Sequence, residues 1–171
     1  MYSINYDKYF NLVNWSCVYW GIKKQLIKPN EAILYAHKLV EDNPDIDTPE
    51  IIELLITDNI DIDTVLHLIE QIFSDINKLN DKKLYALKVL RFVFLSEIKN
   101  VVTNNRDLLR KIDDVYSDFD YPSDMDNFIY YLPCAESNYD VSKHTIQENE
   151  QRLIDRFNSF MTEEYDKLFV N

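Results

Sequence analysis

The chain's densest chemistry lies in EDNPDIDTPEIIELLITDNIDID, residues 41–63, which holds nine carboxylates and no Lys, Arg or His. So many oxygens without a cation could bind a hard metal ion or face a basic protein. Asp42 to Glu53 has the length of a twelve-residue calcium loop ending in Glu, but its third and fifth positions are Pro44 and Ile46. Its sixth is Asp47, where such a loop needs glycine for the sharp turn. DNIDID fails in the same way, with Ile60 and Ile62 at ligand positions. His67 and Glu70 share a helix face, yet helical di-metal centres need several such inward-facing pairs, and His37 and His144 have no comparable neighbours. Cys17 and Cys134 show no CxxC or Cys/His spacing and no nucleophile motif. The sequence therefore predicts no metal, no cofactor and no enzymatic activity.

A basic partner is the remaining chemistry. The net charge is −12, but it is unevenly spread. Residues 1–40 and 64–106 each carry +3, whereas 41–63 carry −9 and 107–126 carry seven acids against two bases. Carboxylates placed this way serve equally as solvated faces, favourable at helix N-termini, or as a steering surface for a basic protein. The second acidic segment, DDVYSDFDYPSDMDNFIYY, interleaves aromatics with Asp. Tyr116, Phe119 and Phe128 suit a core, as does Tyr130 or Tyr131. Tyr121, beside Pro122, suits an exposed anchor for Arg or Lys. With a pI near 4.6, direct binding of nucleic acid is disfavoured because its phosphates would be repelled.

Those carboxylates must be held by a folded frame, and composition says what kind. In 171 residues, 46% hydrophobic and 13% aromatic content is too much apolar material for a disordered acidic tail. One domain spanning 1–171 is the expectation from length. The single glycine, Gly21, argues against phosphate-cradling loops and most tight hairpins. No basic leader precedes an apolar run, and the uncharged stretch from Phe10 to Ile22 is too short to span a bilayer. Two reduced thiols then fit a cytoplasmic protein.

Hydrophobic spacing predicts helices throughout. Tyr6, Phe10, Val13, Cys17 and Trp20 form one stripe and Trp15, Tyr19, Ile22 and Leu26 another, so a first helix should be packed from two sides. Pro29 and Pro49 suit first helical turns, the second after Thr48. The helix from Pro49 should turn Ile51, Ile52, Leu55 and Ile56 inward. Ile62 through Ile76 fit a 3.6-residue repeat, and Leu84 to Ile98 is apolar apart from a strip of Lys88, Arg91 and Ser96. A helix carrying Leu108, Ile112 and Val115 should end before Pro122, DNFIYYLP should be a short helix, and Thr145 with Glu148 should cap a long final one. The reading is all-α, a single irregular bundle of about eight helices.

Trp20-Gly21, Leu26 and PNEAILYAHKLV resemble the opening of a family of small bacterial helical proteins of unknown function, and FIYYLP is similar to its C-terminal half. Such proteins resemble immunity proteins encoded beside secreted bacterial toxins, many of them acidic plugs for basic nucleases. The resemblance implies an inhibitor that masks a basic toxin. The residues expected to meet that partner are Asp45, Asp47, Glu50, Glu53, Asp58, Asp61 and Asp63, with Asp114, Asp118, Asp120, Tyr121 and Asp124 as a second set. The alternative is an adaptor that binds a partner helix through an exposed apolar stripe.

Overall fold

The computed structural model describes residues 1–56, 61–73, 75–134, 136–137 and 139–170, and among them the chain is all-α. Its helices are α1 Tyr6–Tyr9, α2 Trp15–Lys23, α3 Asn30–Asp42, α4 Pro49–Ile56, α5 Ile62–Phe73, α6 Ile76–Asp81, α7 Lys83–Val101, α8 Asn105–Asp118 and α9 Ile146–Phe169. Short 3-10 helices cover Ser123–Phe128 and Val141–Lys143. The chain divides into two compact units, Met1–Leu90 and Arg91–Asn171, so α7 supplies residues to both.

In the first unit the expected opening helix is two. The Asn14 side chain accepts the backbone N–H groups of Ser16 and Cys17 at 2.9 and 3.3 Å, so a new helix starts at Trp15. Trp15 through Ile22 are all buried, as two apolar stripes require. Trp20 donates its indole N–H to the Leu79 carbonyl at 2.9 Å, and the Trp15 ring meets Tyr35 edge-on at 4.8 Å. α3 packs on α4, α4 on α5, and α5 on α2 and α6. Residues before α1 lie against this core: the Tyr2 N–H reaches the Leu26 carbonyl at 2.7 Å, and the Ile4 N–H reaches the Glu31 carboxylate at 3.4 Å. Burial raises the pKa of Glu31 above the usual carboxylate range.

α2 ends in a paired cap. The Gln25 N–H bonds to the Ile22 carbonyl at 2.9 Å and the Leu26 N–H to the Gly21 carbonyl at 2.8 Å, with Gln25 in the left-handed region at φ 58°. Glycine is the residue such a position favours, because a Cβ crowds the following carbonyl. Gln25→Gly is therefore expected to stabilise the fold by about 0.5–1 kcal/mol, read from the urea midpoint. A lower midpoint would mean that the Gln25 side chain contributes more than its backbone costs. α8 ends in the same cap, with Asp120 and Tyr121 at φ 62° and 57° and their N–H groups on the Ser117 and Tyr116 carbonyls.

Three further expectations are corrected. The repeat beginning at Ile62 stops at Phe73, and Asp75 accepts the Asn77 N–H to start α6 at Ile76. DNFIYYLP is not a helix: the 3-10 helix Ser123–Phe128 lies ahead of most of it, and Tyr130 and Tyr131 are exposed rather than core. Arg91 is not on a solvent strip but 4% exposed, because carboxylates from other elements converge on it.

In the second unit, α8 packs on α9, and α9 on the 3-10 helix Ser123–Phe128. The Thr145–Glu148 capping box is present at the head of α9, with reciprocal bonds of 3.2 and 2.7 Å. Phe157 is fully buried on α9 and its ring meets Phe128 at 5.7 Å.

Candidate functional site

The described part of the acidic segment belongs to the end of α3, to α4 and to the head of α5, all in the first unit. The Thr48 carbonyl accepts the N–H groups of Ile51 and Ile52, so the helix begins at Pro49 with Glu50 in its first turn. Asp45 and Asp47 precede it, both exposed. At the head of α5, the Asp61 carboxylate accepts the N–H groups of Asp63 and Thr64 at 3.0 and 2.9 Å and the Thr64 hydroxyl at 2.7 Å. The Thr64 bonds hold the Asp61 carboxyl below the usual carboxylate range. Asp61 is thus a helix cap as well as a surface charge. Glu53 and Asp63 are exposed, and Asp58 lies outside the described residues.

Lys38 compensates charge at the start of the run. Lys38 sits 3.6 Å from Glu41 and 3.9 Å from Asp42, and also reaches Asp7 at 3.4 Å. Among the described residues no Lys or Arg forms an ion pair with Asp45, Asp47, Glu50 or Asp63.

The apolar face of α4 differs from the expected one. Ile51 and Leu54 are buried, whereas Ile52 is 42% exposed and Ile56 74% exposed. Eight residues with five large aliphatics cannot turn every side inward, and the pair at i, i+4 is left on the outer face beside Glu53. Five aliphatics in two turns was the signal for this, since one inward stripe accommodates only some of them.

The second expected set is dispersed in role. Asp114 is exposed and 3.2 Å from Lys111, an exposed pair of small value. Asp118 and Asp120 are exposed around the α8 cap, and Tyr121 is exposed with its ring edge-on to Tyr116 at 5.3 Å. Tyr116 donates its hydroxyl to Asp126 at 2.7 Å, and that carboxylate pushes the phenol up to about 12. Asp124 is committed to Arg91, accepting both terminal guanidinium N–H groups at 2.7 Å.

Asp124 also lines a cleft of about 730 Å³ in the second unit, which the sequence did not disclose. One wall is a face of α9 carrying Glu148, Gln151, Arg152, Asp155, Arg156, Ser159 and Glu163, and the other includes Glu136, Tyr139 and His144. Arg152 and Arg156 both close on Glu136, at 2.6 and 2.5 Å, and hold its carboxyl below the usual range. Arg152 stacks its guanidinium over Tyr139 at 4.5 Å, and Tyr139 stacks on His144 at 4.4 Å. Arg152 and Arg156 stand one turn apart on α9, but nothing local in the sequence points to Glu136 as their shared partner.

Cys17 lies on α2, whereas Cys134 lies outside the helices and accepts from the Arg152 guanidinium at 3.4 Å. Cys17 and Cys134 are free, and burial pushes the Cys17 thiol up to about 11, well away from a reactive thiolate. His67 is exposed beside Gln71, and Glu70 is occupied by the Tyr19 hydroxyl at 2.6 Å. No group of three or more His, Cys, Asp or Glu among the described residues is placed to hold a metal ion. None of the described helices is long and apolar enough to cross a membrane.

These features define an acidic, all-helical protein with charged surface faces. Over residues 5–165 the chain matches a family described as "Uncharacterized protein conserved in bacteria (DUF2247)", and it belongs to that family. No curated protein and no solved structure matches it.

Proposed function

We propose that the protein binds a basic protein partner through the face built on α4, acting in the cytoplasm as an inhibitor or immunity protein that masks a basic toxin surface. The observation that carries this reading is that Ile52 and Ile56 are left in water on α4, in a segment whose Asp45, Asp47, Glu50 and Asp63 have no cationic partner among the described residues. Apolar anchors rimmed by charge are the arrangement in which buried contacts hold a complex and the rim steers its formation. The two free thiols suit a reducing compartment. Membership of a bacterial family fits a toxin-linked role. The same Ile52–Ile56 stripe favours a second reading, an adaptor for a partner helix laid across α4.

Replacing Asp45, Asp47 and Asp63 by Asn and Glu50 by Gln removes charge without disturbing the Asp61 cap. Proteins captured from the source bacterium by wild type and variant, at low and high salt, identify the partner, and its purified form gives the rates. The expected result is association slower by about tenfold with a flattened salt dependence, while Ile56→Ser quickens dissociation instead. Unchanged rates and salt sensitivity would show that these carboxylates only solubilise the protein. A partner lost with Ile56→Ser but indifferent to the charge variant would favour the adaptor.

A further inference from the structure

We propose that the groove between α8 and the start of α9 is a second docking site, one that takes an acidic amphipathic segment of a partner protein. It encloses about 340 Å³ over a floor of Leu109 and Leu153. Tyr130 and Ile146 line it while remaining 57% and 70% exposed. Ile146 is the first residue of α9, where the capping box holds the backbone, so its side chain is presented to water from a fixed point. Arg106 and Arg110, both exposed and one turn apart on α8, complete the rim.

The charges choose the occupant. Among the described residues Arg106 has no ion pair, and Arg110 reaches only Asp107, at 3.7 Å across an exposed pair. Against them the groove sets a single carboxylate, Glu150. In a chain of net charge −12, a rim with two guanidinium groups complements carboxylates that flank an apolar anchor. The anchor would fill the space between Tyr130 and Ile146 above the two leucines. The net charge opposes such a partner at long range, so the apolar contact supplies affinity and the arginines supply orientation. Phosphate-rich nucleic acid meets the same repulsion without an anchor for the apolar walls. This site does not rest on the α4 face and would take a partner of opposite charge.

Two labelled amphipathic helical peptides test it, identical in their apolar stripe but bearing Glu or Lys on the polar face, with binding followed by fluorescence anisotropy on the full chain. The Glu-faced peptide is expected to bind wild type and to lose about tenfold in affinity with Arg106→Gln/Arg110→Gln and with Ile146→Ser. Both variants alter only exposed side chains, so far-UV spectra should match wild type. The Lys-faced peptide should ignore these substitutions, and its response to the α4 charge variant reports on the other face separately. Glu-faced binding that is absent, or indifferent to both groove variants, overturns the proposal. Sedimentation of wild type as a dimer that Arg106→Gln/Arg110→Gln dissociates would also overturn it, giving the groove to a second copy of the chain.

Discussion

Replacing Arg91 by Met is expected to lower the unfolding free energy by about 3–5 kcal/mol, the range for breaking one side of a buried ion pair. Arg91 and Glu164 are each only 4% exposed, with a contact of 3.1 Å between them. The guanidinium also makes the bidentate bond to Asp124 and lies 5.3 Å from the Phe160 ring. Met preserves much of the volume but leaves the Glu164 carboxylate buried with Lys167 at 3.4 Å as its remaining cation. Asp124, at the edge of its cleft, can return to water. The double variant Arg91→Met/Glu164→Leu should recover most of the loss, because it removes the orphaned charge as well. Urea unfolding checks both. A single variant within about 1 kcal/mol of wild type, or a double variant no better than the single, would mean that Glu164 is readily solvated and that the triad contributes little.

Gly21→Val is expected to cost about 2–3 kcal/mol through overpacking. A Cβ at this position would stand 2.8 and 2.9 Å from Cδ1 and Cγ1 of Ile27 and 3.1 Å from Cδ1 of Leu90. The Ile27 Cδ1 methyl can swing away, but moving Cγ1 needs a χ1 change in a β-branched side chain that is only 1% exposed. Valine adds two more methyl groups in the same space. Gly21→Ala separates the two effects that act here. Helix propensity alone would make it stabilising by about 0.5–1 kcal/mol, whereas the contact with Ile27 should cancel or reverse that gain. An alanine variant that gains the full propensity term in thermal or urea unfolding would show that the α2 approach is looser than the distances imply.

Gly21 also marks where local reasoning stopped. Its scarcity argued correctly for helices, yet it occupies the inside of one, and the left-handed positions at Gln25, Asp120 and Tyr121 are filled by other residues. A sequence records which residue is unique, but close approach of a distant side chain is a property of three dimensions. Asn14 could have been read as a helix start, since its amide competes for backbone donors, but the continuous apolar stripes on either side of it masked the break.

What the sequence determined by itself was the helical class, the cap at Thr145, the burial of both sides of Trp15–Ile22, and the concentration of negative charge in 41–63. These follow from periodicity, short-range hydrogen bonding and composition, all of which act over a few residues. Tertiary structure decided which aliphatics of α4 face water, where Arg91 finds Asp124 and Glu164, and that Glu136 joins Arg152 to Arg156. An amphipathic pattern limits the buried face of a short, nearly all-aliphatic helix only loosely, and the neighbouring helices select it. Ion pairs across 33 and 73 residues of chain leave no local trace, because their energy comes from desolvation and geometry that exist only after the elements have packed.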